Sequence, residues 1–236
     1  MPNPYFRFKQ FTVYHDRCAM KVGTDGVLLG AWCDVADCKE AIDVGVGSGL
    51  IALMLAQRGC ANITGVEIDG NASEQAAENV RLSPFAGVVK IVHASFIDFA
   101  ESATGKYDLV VSNPPYFIDA LKPDNAARSL ARHTGEMDYE RLIRSSCRLL
   151  SDTGRLALIL PYDHFDFFAR IAGEYGLFLH RKTLVYPKPE ALPRRVLMEW
   201  GRVACDCVED SLTIEVERHI YSETFKQLTR DFYLDK

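Results

Sequence analysis

The chain lacks a long hydrophobic run. None of its apolar stretches approaches the roughly 20 residues that a membrane-spanning helix needs, and its first ten residues are polar and aromatic, without the apolar centre of a signal peptide. We therefore expect a cytoplasmic protein with no membrane partner. At 236 residues, with 48% hydrophobic and 25% charged residues, the chain is long enough to bury a sizeable core.

Paired cysteines and metal-ligand clusters are also scarce. The chain has seven cysteines, an odd number, and five of them stand singly. A disulfide framework is therefore not expected, and reduced thiols fit better. Only Cys205 and Cys207 lie close together, and one such pair without a second pair or a histidine cluster is a weak metal signal. We predict no metal site.

A surplus of positive charge is missing. The net charge of −5 argues against broad electrostatic capture of nucleic acid. Residues 181–195 are nevertheless locally basic, with five basic side chains against Glu190 alone. The N-terminal segment adds Arg7, Lys9, Arg17 and Lys21. A local contact with nucleic acid therefore stays open.

Strand and helix patterns alternate from residue 40 onward, which predicts an α/β fold with a mostly parallel sheet and helices on both faces. Two later extended runs predict a final antiparallel hairpin, so that seven strands form the sheet. The first thirty residues predict a small hairpin and a short helical patch. We divide the chain into an N-terminal extension, 1–30, and a main domain, 31–236. The predicted strands are 41–44, 63–66, 88–92, 107–111, 155–160, 178–186 and 195–204, with a short one at 213–216; the predicted helices are 50–57, 72–81, 139–150, 163–174 and 221–233.

A glycine loop lies between the first strand and the first helix of this pattern. Gly45, Gly47 and Gly49 alternate with other residues, and Asp43 precedes them. Glycines allow tight turns and close approach of a ligand, and the following helix offers free N–H groups to an anion. The dinucleotide fingerprint would require a glycine where Leu50 stands, which argues against an NAD-dependent oxidoreductase.

Two further strand ends extend this predicted ligand site. Glu67 ends the second strand, where a carboxylate can accept both hydroxyls of a ribose, and Ile68 follows it. After the third strand, Ser95 and Phe96 lie in a segment that could flank an adenine ring. Ser95 or Asp98 could lie near the ring edge, but a helix cap or a solvated loop position explains Asp98 almost as well.

Residues 113–116, Asn-Pro-Pro-Tyr, follow the fourth strand. Two consecutive prolines cannot continue a β-ladder, and the residue before a proline is pushed into an extended conformation. The Asn113 amide oxygen, the Pro114 carbonyl and the Tyr116 ring together suit a planar ligand that carries an NH2 group. A plain turn with a surface tyrosine is the alternative for this motif alone.

Taken together, the loop at 43–49, Glu67 and the motif at 113–116 resemble class I S-adenosylmethionine-dependent methyltransferases. The Asn-Pro-Pro-Tyr form is similar to the branch that methylates adenine or guanine exocyclic amines or glutamine side-chain amides. Segments outside this core resemble one narrower family, the bacterial tRNA(Val) (adenine-37-N6)-methyltransferases, nearly from end to end. These segments are 6–11, 21–30, 131–133, 221–225 and 231–234.

The resemblance implies a Rossmann-like fold, S-adenosylmethionine as cofactor and tRNA as partner. It implies that Asn113 and Pro114 accept the two N–H groups of the adenine amine while Tyr116 stacks on the base, and that catalysis is mostly alignment and electrostatics. The implied cofactor residues are Asp43, Gly45, Gly47, Gly49, Glu67, Ile68, Ser95 and Phe96, with Thr24 and Asp25 by the family's pattern. The implied substrate residues are Pro115, Lys122, Arg128, Arg132, Arg194 and Arg195.

Other functions remain open at this point. In a protein glutamine N5-methyltransferase the substrate would present a planar carboxamide NH2 to the same acceptors, and in another nucleic-acid amino-methyltransferase it would present the amine of a base. A non-catalytic RNA-binding module is the alternative from a different class, and the presence of Asn113 and Tyr116 argues against it.

Overall fold

The structure, a computed structural model, describes residues 3–114 and 139–234. Its main sheet has eight strands in the order β10-β8-β9-β7-β6-β3-β4-β5. Strands β3 to β7 are parallel, β9 runs antiparallel to β7 and β8, and β10 is parallel to β8. The strands of this sheet are β3 Glu40–Val44, β4 Asn62–Glu67, β5 Val89–His93, β6 Tyr107–Ser112, β7 Leu150–Pro161, β8 Phe178–Tyr186, β9 Arg195–Gly201 and β10 Val208–Thr213.

The predicted fold class and the closing antiparallel hairpin β8–β9 are confirmed, but the predicted count of seven strands is one short. Strand β10 was missed because only Leu212 of its six residues is buried, so the run has no apolar pattern. The short strand predicted at 213–216 is also misplaced. Glu215–Glu217 (β11) pairs instead with Ile220–Tyr221 (β12) in a separate two-stranded sheet.

Helices cover both faces of the main sheet, as predicted. They are α1 Thr24–Trp32, α2 Leu50–Gln57, α3 Gly70–Arg81, α4 Phe96–Ser102, α5 139–149, α6 Phe165–Glu174 and α7 Glu223–Thr229. Alternate residues of one strand enter different cores: Leu109 and Val111 pack with α1 and α2, whereas Val110 packs with α5 and α6. This is the two-residue period of a strand buried on both faces.

The N-terminal hairpin joins the same core as the main domain. Its strands are β1 Tyr5–Arg7 and β2 Thr12–Tyr14. Phe8, Phe11 and Val13 are buried in the core that α1 and α2 share. Helix α1 runs across residue 30, and the division of the chain at that residue stays a prediction. No helix of the described ranges is long and apolar enough to cross a membrane.

Candidate functional site

The site lies where four parallel strands end at one edge of the sheet. Val44 of β3 is in register with Val66 of β4 and with Ser112 of β6. The glycine loop, Glu67 and Asn113 therefore emerge side by side. The chain proceeds from β3 to β4 and β5 on one side, and β6 lies on the other side. This reversal leaves a crevice outside the strand ends, where open α/β sheets bind ligands.

The glycine loop has a backbone that favours glycine. Gly45, Gly47 and Gly49 have φ values of 70°, 53° and 86°, in the left-handed region that other residues rarely adopt. The Gly45 and Val46 N–H groups donate to the Val66 carbonyl at 2.9 and 3.1 Å. An added Cβ at Gly45 would meet no atom within 4 Å. The backbone conformation, and not a lack of space, therefore favours glycine at position 45.

Val46 points out of this loop into the core. Its side chain is 5% exposed and lies against Gly65 of β4, where a Cβ would come within 2.7 Å of Val46 Cγ2. Because Gly65 has no side chain, Val46 can pack directly against β4 and hold the glycine loop close to that strand.

Glu67 braces the glycine loop from the end of β4. Its Oε2 accepts the Gly47 N–H at 2.9 Å, and its Oε1 accepts the Asp69 N–H at 3.0 Å. Each carboxylate oxygen has a second lone pair. The carboxylate can therefore hold the loop and still accept two hydroxyls of a ligand.

Asp43 is a buried carboxyl below the loop. Its Oδ2 accepts the Ala52 N–H at 3.0 Å, while its Oδ1 has no partner within the described ranges. The pKa of Asp43 is raised to about 7, mainly by burial; the Ala52 hydrogen bond lowers this pKa, and the nearby Glu67 charge adds a smaller rise. A buried acceptor without a partner favours a ligand that brings a donor or a positive charge.

The segment after β5 begins helix α4, which was not among the predicted helices, although a helix cap was the alternative for Asp98. Ser95 is the N-cap of α4, and its Oγ accepts the Asp98 N–H at 3.3 Å. The Ala94 N–H donates to the Glu67 carbonyl at 2.9 Å, which holds this segment beside Glu67. Ile68 is 70% exposed and lies next to the same strand end, whereas Phe96 is half-buried against the core that contains α5 and α6.

Asn113 and Pro114 follow β6 directly and are both half-buried. Just before them, the buried Ser112 hydroxyl donates to the Val44 carbonyl at 3.0 Å. This bond fixes the end of β6 against the base of the glycine loop. Five predicted site residues lie outside the described residues: Pro115, Tyr116, Lys122, Arg128 and Arg132.

Two residues that the sequence interpretation assigned to different ligands contact each other. Arg195 Nε donates to Asp25 Oδ2 at 2.8 Å, and the two side chains are 31% and 27% exposed. This ion pair joins the start of α1 to the start of β9, at the strand ends that surround the site. Thr24 and Arg194 are exposed next to it.

Asn79 is a site-supporting residue that sequence reasoning missed. It is fully buried on α3. Its Nδ2 donates to the Ser48 and Tyr14 carbonyls, both at 2.8 Å, and its Oδ1 accepts the Tyr14 N–H at 3.0 Å. Asn79 thus joins the N-terminal hairpin to the glycine loop. An asparagine among the other polar residues of a helix gives no signal of this role in the sequence.

Comparison with known families agrees with this geometry. Residues 22–164 match the methyltransferase small domain family. A protein of Phocaeicola vulgatus named tRNA1(Val) (adenine(37)-N6)-methyltransferase is 48% identical over 235 residues, covering 100% of both chains. A protein of the same name from Yersinia pestis is 43% identical over 232 residues, covering 98% of this chain and 94% of its own.

Solved structures share the fold at low identity. A predicted O-methyltransferase of Agrobacterium tumefaciens superposes with a TM-score of 0.67 at 20% identity, covering 88% of this chain and 96% of its own. A ribosomal protein L11 methylase of Lactobacillus delbrueckii superposes with a TM-score of 0.55 at 18% identity, covering 76% of this chain and 77% of its own.

Proposed function

The chain belongs to the family of tRNA1(Val) (adenine(37)-N6)-methyltransferases, and from this premise we propose that it transfers a methyl group from S-adenosylmethionine to the exocyclic N6 of adenine 37 in tRNA(Val). The observation that carries the proposal is the full-length match to relatives of that name, together with an Asn-Pro pair at the end of β6 beside the glycine loop. For such a substrate we expect the enzyme to work in the cytoplasm.

The residues of the crevice fit the proposed cofactor. Asp43 offers a buried carboxyl oxygen without a described partner, which suits a molecule with an ammonium and a sulfonium. The bare Cα atoms of Gly45 and Gly47 leave room for close approach, since a Cβ at either position would have no neighbour nearer than 3.9 Å. Glu67 keeps lone pairs for the ribose hydroxyls. When bound, S-adenosylmethionine supplies a methyl group already activated by the sulfonium.

The work left to the protein is to orient a weak nucleophile. The lone pair of an adenine amine is delocalised into the ring. Asn113 Oδ1 and the Pro114 carbonyl would each accept one N–H, which favours a tetrahedral nitrogen and turns its lone pair toward the crevice. The hydrogen bond from Ser112 to Val44 keeps this pair of acceptors fixed relative to the loop. No strong general base is needed, because the amine keeps both protons until the methyl is attached, and the cationic nitrogen then releases one proton to water.

Labelled methyl transfer tests the proposed substrate. We expect label from S-adenosylmethionine to appear as N6-methyladenosine in a tRNA(Val) transcript, and not in the same transcript with guanine at position 37. Label that enters only a glutamine of a protein such as a release factor would contradict the proposal.

The role of Asn113 is tested by Asn113→Ala. We expect transfer to fall by at least about a thousandfold, which is at the upper end of losing one preorganised polar contact to a reacting group, with S-adenosylmethionine affinity unchanged by calorimetry. Asn71→Ala, an exposed asparagine on α3, is the matched control. An equal loss of cofactor affinity in Asn113→Ala would show that the residue binds the cofactor instead.

A further inference from the structure

A groove lies between the two ends of the chain, outside the crevice described above. It has a volume of about 960 Å³ and is bounded by β1, the start of α1, and α7 with the residues that follow it. We call it the terminal groove. Thr24 lines it, and the next residue, Asp25, holds Arg195 at the edge of the candidate active site. The groove therefore continues the surface of that site.

Aromatic rings form the walls of the terminal groove. Phe6 lies edge-on to Tyr233 at a centroid distance of 5.8 Å, and Tyr221 stacks on Phe225 at 4.8 Å. Phe6 and Tyr221 are 36% and 39% exposed, although each ring contacts a buried ring, Phe8 and Phe225 respectively. Exposed rings held by packed neighbours are suited to stack with a flat ligand, because little side-chain freedom remains to be lost on binding.

The rim of the terminal groove is basic. Its charged lining residues are Arg7, Lys226 and Arg230, and no acidic residue lines it. Arg7 forms no ion pair with any described residue. Lys226 contacts Glu223 at 2.7 Å and Arg230 contacts Asp231 at 3.7 Å, but these pairs are exposed and can be exchanged for a phosphate at little cost.

We propose that the terminal groove binds an unpaired nucleotide of the tRNA substrate, with its base between the exposed rings and its phosphate on Arg7 and Arg230. This inference rests on the proposed function. Aromatic stacking combined with a cationic track is how proteins hold single-stranded nucleic acid. It also explains how a chain with a net charge of −5 binds RNA: only a local basic surface is required.

Two substitutions test the groove without touching the crevice. Arg7→Glu reverses the charge of an exposed side chain, and Phe6→Ala removes one wall. Arg81→Glu is the matched control, because Arg81 is exposed in the last turn of α3, at the opposite edge of the sheet. Thermal unfolding of each variant shows whether it still folds. This control matters most for Phe6→Ala, because Phe6 contacts the rings of Phe8 and Tyr233.

We expect Arg7→Glu to raise KM for tRNA about tenfold and to lower the slope of log affinity against log salt by about one. Phe6→Ala should raise KM about fivefold, the lower end of a lost base stack. In both variants kcat at saturating tRNA and the affinity for S-adenosylmethionine should match the wild type, as should all constants of Arg81→Glu.

The outcomes separate this inference from the proposed function. A wild-type protein that does not methylate tRNA contradicts the proposed function. A wild-type protein that methylates tRNA while Arg7→Glu keeps the wild-type KM and salt slope contradicts the groove alone, and then a protein or a second copy of the chain is the better occupant.

Discussion

Replacing Asn79 by alanine should loosen both the fold and the glycine loop. The substitution removes three hydrogen bonds, to the Ser48 carbonyl and to the N–H and carbonyl of Tyr14. The Ser48 carbonyl is buried and would lose its partner at a cost of about 1–3 kcal/mol. The two Tyr14 groups are only part-buried and can reach water, so each contributes about 1 kcal/mol.

We therefore expect Asn79→Ala to lower the free energy of unfolding by about 3–5 kcal/mol, measured by urea denaturation with an unchanged m-value. Asn79→Asp should cost at least as much, because the carboxylate oxygen that replaces the Nδ2 group would face the Ser48 and Tyr14 carbonyls. Since Ser48 belongs to the glycine loop, S-adenosylmethionine should also bind about five- to tenfold more weakly, a change of roughly 1 kcal/mol.

Asn71→Ala on the same helix provides the control, because Asn71 is exposed. An Asn79→Ala variant that loses less than about 1 kcal/mol, or that binds S-adenosylmethionine as tightly as the Asn71→Ala variant, would refute the coupling of hairpin and loop.

Three further substitutions address the loop itself. Gly65→Ala should destabilise the fold by about 1–3 kcal/mol through overpacking, because its Cβ would lie 2.7 Å from Val46 Cγ2; adding Val46→Ala should restore part of the loss in denaturation experiments. Glu67→Gln should weaken S-adenosylmethionine binding about tenfold by calorimetry, because its NH2 group would face the Gly47 or Asp69 N–H where a carboxylate oxygen now accepts. Asp43→Asn should gain stability relative to the wild type as the pH rises from about 4 to about 7, measured by urea denaturation across that range. The pKa of Asp43 rises from 3.8 to about 7 on folding, so between these values only the folded wild type keeps the proton, and its stability falls as the pH rises.

Each of these expectations has a contrary result. Gly65→Ala with wild-type stability would mean that Val46 yields freely. Glu67→Gln with wild-type affinity would remove the carboxylate from the cofactor site. A constant stability difference between Asp43→Asn and the wild type across the pH range would mean that the carboxyl is not desolvated.

Local patterns predicted the scaffold of the site well and its tertiary links poorly. Helix α2 and strand β8 have the predicted bounds. Helix α2 is an apolar run that begins directly after Gly49, and β8 is a long extended run. Helix α4 was missed because it has only seven residues, too few for a helical period to show. The Asp25–Arg195 pair joins residues 170 positions apart, and no local pattern carries such a contact. The roles of Asn113 and Pro114 stay predictions, since nothing in the geometry alone selects their ligand.

The N-terminal hairpin can complete its contacts only after residues 232 and 233 have been synthesised. Lys9 N–H donates to the Phe232 carbonyl at 2.8 Å, and Phe8 stacks on Tyr233 at 6.0 Å. The hairpin thus rests on residues that the ribosome makes more than 200 positions later, while through Asn79 it also supports the glycine loop. Contacts of such long sequence separation are slow to form, because the entropy of closing the intervening loop opposes them. We expect a nascent chain to acquire its full affinity for the methyl donor only after residues 232 and 233 have left the ribosome.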